Sequence, residues 1–289
     1  MAPSDASVRA DICEVGRRLY ARGYVASNDG NITVRLEGGR IVTTPKSVSK
    51  GFMTPEMMCV VDLDGRKLDG ERDPSSELKM HLEVYRNRPD VRAVVHAHPP
   101  LATGFAVAGI PLDRAVLAEV ITTLGSIPIA DYATPSTQEL PDAVRQYIKA
   151  HDGLLLANHG ALTVAGDVFA AYYKMETVEH FAKISLVARL LGGERLLSQQ
   201  EVNRLQGLRG MYGIASPAPI CMDDSPADGA ATCQIVRAPD APGQRLVPEQ
   251  EAEALMGGTT GGPAVEDGEI RLTYRELTAL IEDAVRQLR

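Results

Sequence analysis

The chain has 289 residues, 44% of them apolar, enough to bury one large core and carry an appendage. A net charge of -8 disfavours non-specific binding to nucleic acid or to an anionic membrane, and no apolar run approaches the roughly 20 residues of a membrane span. Four cysteines without a CxxC pair read as reduced thiols, and the N-terminus has no signal-peptide apolar stretch, so a cytoplasmic protein is expected.

Residues 7–22 read as an amphipathic helix, with Val8, Ile12, Val15 and Leu19 on one face and Gly23 as a stop. Three short strand-like runs follow, "NITVRL", "RIVTTP" and "MCVVDLDG", separated by turn residues as in an antiparallel meander. A second helix is expected from Pro74-Ser75-Ser76-Glu77 to Arg88, then a strand over "VRAVVHAH". Residues 101–109 read as helical, "SIPIADY" as a strand and 137–150 as a helix. "GLLLANHG" reads as a buried strand with His159 at its exit, followed by a long helix over 167–191. Ser198 and Glu201 form a capping box that starts another helix. After about residue 215 Pro and Gly become frequent. The expected organisation is a catalytic domain over 1–215, a flexible linker over 216–270 and a short amphipathic helix over 271–289. In that last helix Tyr274, Leu277, Ile281, Ala284 and Leu288 share a face behind a Thr273/Glu276 capping box. Strands paired with helices without strict βαβ alternation imply a layered α/β or α+β domain.

The chemistry concentrates in a few stretches. Side chains alternate along a strand, so His96 and His98 project to one side, just before Pro99-Pro100. With His159 they make a three-imidazole set that leaves positions open for substrate or water. Zinc suits such a set; cobalt, manganese and iron are the other divalent candidates. The alternative is a group of polar strand and turn residues with ordinary hydrogen bonds. Ser75 and Ser76, ahead of Glu77, offer hydroxyls and free helix N–H groups to an anion, or form an ordinary N-cap. "SNDGNITV" and "TTPKSVSKG" are polar turns able to present N–H groups to phosphate, with Lys46 and Lys50 adding charge.

In order, "GNITVR", "TPKSVSKG", "PSSE", "HAH" and "NHG" resemble the class II aldolase/adducin family, its L-fuculose-phosphate aldolase branch most closely, over about residues 7–212. The resemblance implies an α/β subunit with a central, mainly antiparallel sheet flanked by helices, assembled as a homotetramer with sites between neighbours. It implies zinc on His96, His98 and His159, and Glu77 as the acid/base. It implies substrate phosphate against Asn28, Gly30, Asn31, Lys46, Ser47, Ser75 and Ser76. The implied reaction is cleavage of a ketose 1-phosphate, such as L-fuculose or L-rhamnulose 1-phosphate, to dihydroxyacetone phosphate and an aldehyde such as lactaldehyde. A 4-epimerase, decarboxylase or dehydratase would use the same metal site. A non-catalytic adducin-like module would be expected to have lost these ligands. Two departures stand out. Lys46-Ser47 replaces a small Thr or Ser followed by Gly. A catalytic tyrosine lent by a neighbouring subunit aligns near Leu117, where Glu119 is the nearest ionisable residue. Residues 271–289 resemble an encapsulation peptide, which implies bacterial microcompartment shell proteins as partners.

Overall fold

A computed structural model describes residues 4–214 and 216–220, with the backbone of two short paired strands at Val236–Arg237 and Val247–Pro248. The helix expected over 271–289 lies outside the described residues, as does most of the linker expected over 216–270.

The eight strands of the sheet are β1 (Asn31–Arg35), β2 (Ile41–Thr43), β3 (Cys59–Val61), β4 (Lys67–Asp69), β5 (Ala93–Ala97), β6 (Ile129–Ala130), β7 (Gly153–Leu156) and β8 (Gly160–Ala165). Their order is β4-β3-β2-β1-β5-β8-β7-β6, antiparallel at every pairing except β6 with β7. The layered α/β domain with a mainly antiparallel sheet is therefore as expected. β5 lies between β1 and β8, and its pleat sorts side chains into two cores. Val95 and Ala97 join Ile32 and Val34 on one face, under α1 (Asp5–Ala21) and α6 (Val168–Leu190). Val94 joins Leu162 and Val164 on the other, under α2 (Leu78–Asn87) and α5 (Glu139–Ile148).

Local chemistry sets several ends. Ser4 accepts from the Ser7 N–H at the start of α1, and Asp167 accepts from the Ala170 N–H at the start of α6. The capping box expected at Ser198 and Glu201 opens α7 (Gln199–Leu208). After His98, Pro99 leads into α3 (Pro100–Val107), whose Leu101 and Ala102 N–H groups donate to the Glu179 carboxylate of α6. A short α4 (Ala118–Thr123), not read from the sequence, completes the helices around this end. No helix among the described residues is long and apolar enough to cross a membrane.

Two expectations need correction, and one strand was not read from the sequence. "GLLLANHG" is not one strand: β7 ends at Leu156 and β8 begins at Gly160. Asn158, at φ 55°, turns the chain between them, so His159 sits in a hairpin turn. α2 begins at Leu78, after the serine pair, because Pro74 is held in a β-bridge with Pro45 and the Ser75 N–H donates to the Thr44 carbonyl. Strand β4, all of whose side chains are exposed, has no apolar alternation to reveal it.

A buried ionic group ties the site-bearing elements together. Asp152, just before β7, accepts from Arg88 at 2.9 Å and from Lys174 of α6 at 2.7 Å. Burial alone would raise its carboxyl, but Lys174 and Arg88 outweigh burial and hold it below the ordinary range. The stabilisation is therefore full above about pH 4 and lost as pH falls further. Asp152→Ala takes the carboxylate from the half-buried Lys174 and leaves Arg88 with Asp90 alone, and is expected to cost roughly 3 kcal/mol in urea unfolding at pH 7, the low end for a broken buried pair. A loss below about 1 kcal/mol would mean that the group is solvated.

Candidate active site and metal centre

β1 and β5 place the first residues. Their register sets Asn31 opposite His96, and both point to the face that carries α2. Two residues along, Thr33 shares a 2.8 Å hydrogen bond with His81 Nδ1 and another of 2.8 Å with the Tyr85 hydroxyl. Glu77, His81 and Tyr85 lie one helical turn apart, so α2 rests on β1 through a polar seam. At its upper end the Asn31 amide donates to Glu77 Oε2 at 2.9 Å. This seam was not read from the sequence, because a histidine and a tyrosine on an amphipathic helix carry no distinguishing pattern.

The three expected histidines converge, with ring centroids 4.8 to 5.1 Å apart and ligand atoms all within 4.8 Å of one another. His96 is fully buried, and burial pushes its imidazole down to about 3, which keeps it neutral. Its Nδ1–H donates to the Ala161 carbonyl at 2.9 Å, leaving Nε2 bare. His98 Nδ1 lies 3.4 Å from the Asp29 carboxylate, an orienting partner absent from the sequence reading. Burial and then the neighbouring His159 lower the His98 imidazole as well. With both Nδ1 atoms directed at acceptors, the two Nε2 lone pairs face each other 3.1 Å apart. A divalent cation satisfies that arrangement, and so the donor set fits a metal of the zinc type. His159 Nε2 lies 3.1 Å from Glu77 Oε1, and His96 Nε2 lies 3.4 Å from Oε2. Burial alone would raise the Glu77 carboxyl; His96 and His159 outweigh it and hold the group ionised, below the usual carboxylate range.

Two glycines permit this packing. A Cβ on Gly160 would sit 2.6 Å from both the Ala97 carbonyl and His98 Cδ2. Gly30 has φ 72°, and a Cβ there would meet the His96 carbonyl at 2.8 Å.

The polar loops close beside the histidines. A cavity of about 160 Å³ is lined by Asn28, Gly30, Asn31, Lys46, Ser47, Ser75 and Ser76, together with Asp29, Lys50, Glu77 and His98. Every residue expected to meet phosphate therefore borders one space, which Glu77 and His98 connect to the three-histidine cluster. The bridge between Pro45 and Pro74 and the Lys46 N–H bond to the Asp73 carbonyl bring the second and third loops together. Ser47, at the position where the resemblance implies a Gly, adopts φ 59°. The backbone keeps the glycine-like conformation, and the serine bears the strain. Glu119 lies elsewhere, in a surface groove with Leu117, Tyr173 and His180. A tyrosine thus shares space with Leu117 although it is distant in sequence.

Comparison with known proteins agrees with this geometry. The model of the class II aldolase and adducin N-terminal domain matches residues 10–186. The chain belongs to that family. A Bacillus thuringiensis 5-deoxy-D-ribulose 1-phosphate aldolase is 33% identical over 207 residues, covering 71% of this chain and 96% of the relative. A Pectobacterium atrosepticum 3-oxo-tetronate 4-phosphate decarboxylase is 29% identical over 188 residues, covering 64% and 86%. The solved structure of an L-fuculose 1-phosphate aldolase superposes with a TM-score of 0.68 at 30% identity, covering 74% of this chain and 99% of that one. A class II, metal-dependent aldolase is the enzyme class that this family and these aldolases support.

Proposed function

We propose that this enzyme cleaves a ketose 1-phosphate, such as L-fuculose or L-rhamnulose 1-phosphate, to dihydroxyacetone phosphate and an aldehyde such as lactaldehyde. The observation that carries the reading is one polar cavity that all the expected phosphate loops line and that opens through Glu77 onto three imidazoles. A zinc ion held by His96, His98 and His159 would supply Lewis acidity for the negative charge that develops as the carbon–carbon bond breaks. Ser75, Ser76, Asn31 and the backbone about Gly30 hold the phosphate and so fix the reacting bond near Glu77. In cleavage the C4 hydroxyl loses its proton, the C3–C4 electron pair stays on the three-carbon fragment, and C3 takes up a proton. Glu77, pinned through Oε2 by Asn31, moves the proton at that fragment.

The decarboxylase relative supports a second reading on the same site, in which carbon dioxide rather than an aldehyde leaves the enediolate. Zinc-loaded protein given each ketose 1-phosphate should release dihydroxyacetone phosphate, followed by a coupled reductase. Carbon dioxide from a 3-oxo-acid 4-phosphate, with no cleavage of the ketoses, would replace the first reading by the second.

Exposed apolar side chains along α6 and just beyond it, Tyr173, Val187, Leu190 and Leu191, support a homotetramer, which a monomer mass by light scattering would remove. The apolar spacing in the sequence of residues 271–289 supports docking on microcompartment shell proteins. A fluorescent fusion of 257–289 that fails to enrich in purified shells would end that part of the proposal.

A further inference from the structure

The cavity beside the histidines contains a cation of an unusual kind. Lys50 is only 1% exposed, yet among the described residues its Nζ is in no ion pair. It donates instead to two backbone carbonyls, Asn28 at 3.0 Å and Val48 at 2.6 Å, one in each of the first two polar loops. An ammonium group has three N–H donors, so one proton and the full charge remain for the cavity it lines. A buried, unpaired charge is costly, and such a charge is retained where an anion completes it.

We propose that Lys50 is the charge that holds a phosphate-sized dianion in this cavity, and that its deprotonation releases the anion while leaving both loops in place. The inference rests on the cavity being the phosphate subsite of the reaction proposed above. A neutral amine still has two N–H donors, one for each carbonyl, so the loops keep their anchor when the charge is gone. Burial pushes the Lys50 ammonium down to about 8, and the carboxylates of Asp29 and Glu77 oppose that fall. The other ionisable groups around it are His98 after β5, Lys46 of its own loop, and Tyr20 of α1, whose ring packs on Gly51. Lys46 is exposed, so solvent and salt screen its charge.

The test is calorimetric titration of the full-length, metal-containing enzyme with sulfate, a dianion whose charge is constant from pH 6.5 to 9.5. The expected dissociation constant is flat below about pH 7.5 and rises about tenfold per pH unit above about 8, as one linked proton requires. Lys50→Met should bind sulfate at least about tenfold more weakly, with no pH dependence. Wild-type affinity that is flat across the range overturns the role of Lys50 and leaves the phosphate cavity standing. Undiminished affinity in Lys50→Met does the same. No sulfate binding at any pH overturns both, whereas failure of ketose cleavage alone touches only the reaction.

Discussion

His96→Ala is expected to remove the bound divalent ion altogether, from about one per chain to none detectable, and to bring turnover to background. His96 is the fully buried member of the three-histidine cluster, fixed by the Ala161 carbonyl through Nδ1 and facing His98 through Nε2. Losing a partner that merely orients a ligand costs roughly 10–100-fold in metal affinity, and losing the ligand itself costs more. The substitution also strands the Ala161 carbonyl, at about 1–3 kcal/mol, so the variant must be shown to fold. Elemental analysis after dialysis measures the ion. Thermal unfolding with and without a chelator gives an independent reading: an ion at 1,000 times its dissociation constant stabilises by about 4 kcal/mol. Chelation should lower the midpoint of the wild type and leave that of His96→Ala unmoved. A variant with full metal content would take His96 out of the ligand set.

The chemistry was more legible in the sequence than the framework that aims it. His96 and His98 could be paired because a two-residue spacing on a strand admits one geometry. His159 was found by its neighbours in a motif, but its hairpin was missed. "GLLLANHGALTVAG" is apolar on both sides of the turn, and only Asn158 in the left-handed region divides β7 from β8. Ser75 and Ser76, taken alone, read better as helix caps than as an anion site. The bridge from Pro74 to Pro45, a contact across 29 positions, leaves them instead on the cavity wall. Asp29 and His81 carry no local sign of their placement, and Lys50, read as adding charge to its turn, carries no sign of its burial. A lysine in a Gly-containing turn is ordinarily solvated, and only the closing of two loops over Lys50 buries it. Sequence patterning thus reported the donor atoms, while long-range contacts determined how each donor is oriented and which charges are kept from water.

Glu77→Gln is expected to keep the metal and the fold yet lose roughly 10²–10⁴-fold in turnover, the usual contribution of an acid/base group. The geometry makes this substitution selective. Asn31 donates to Glu77 Oε2, and a glutamine carbonyl can accept that bond in the same place. The glutamine amide then falls near His159 Nε2, where Glu77 Oε1 now lies at 3.1 Å. His96 and His98 retain their own anchors, the Ala161 carbonyl and Asp29, so metal content should match the wild type. The proposed phosphate contacts fall to other residues of the cavity, so KM should move by less than about tenfold while kcat falls, the pattern of a group needed in the transition state. A partial reaction separates proton transfer from carbon–carbon cleavage. Dihydroxyacetone phosphate incubated with wild-type enzyme in heavy water should exchange a C3 hydrogen for deuterium, as followed by proton resonance. Glu77→Gln should exchange it slower by a factor similar to the loss in kcat. Exchange at the wild-type rate alongside impaired cleavage would show that another group moves this proton, and Glu77 would then be left with orienting the histidines alone.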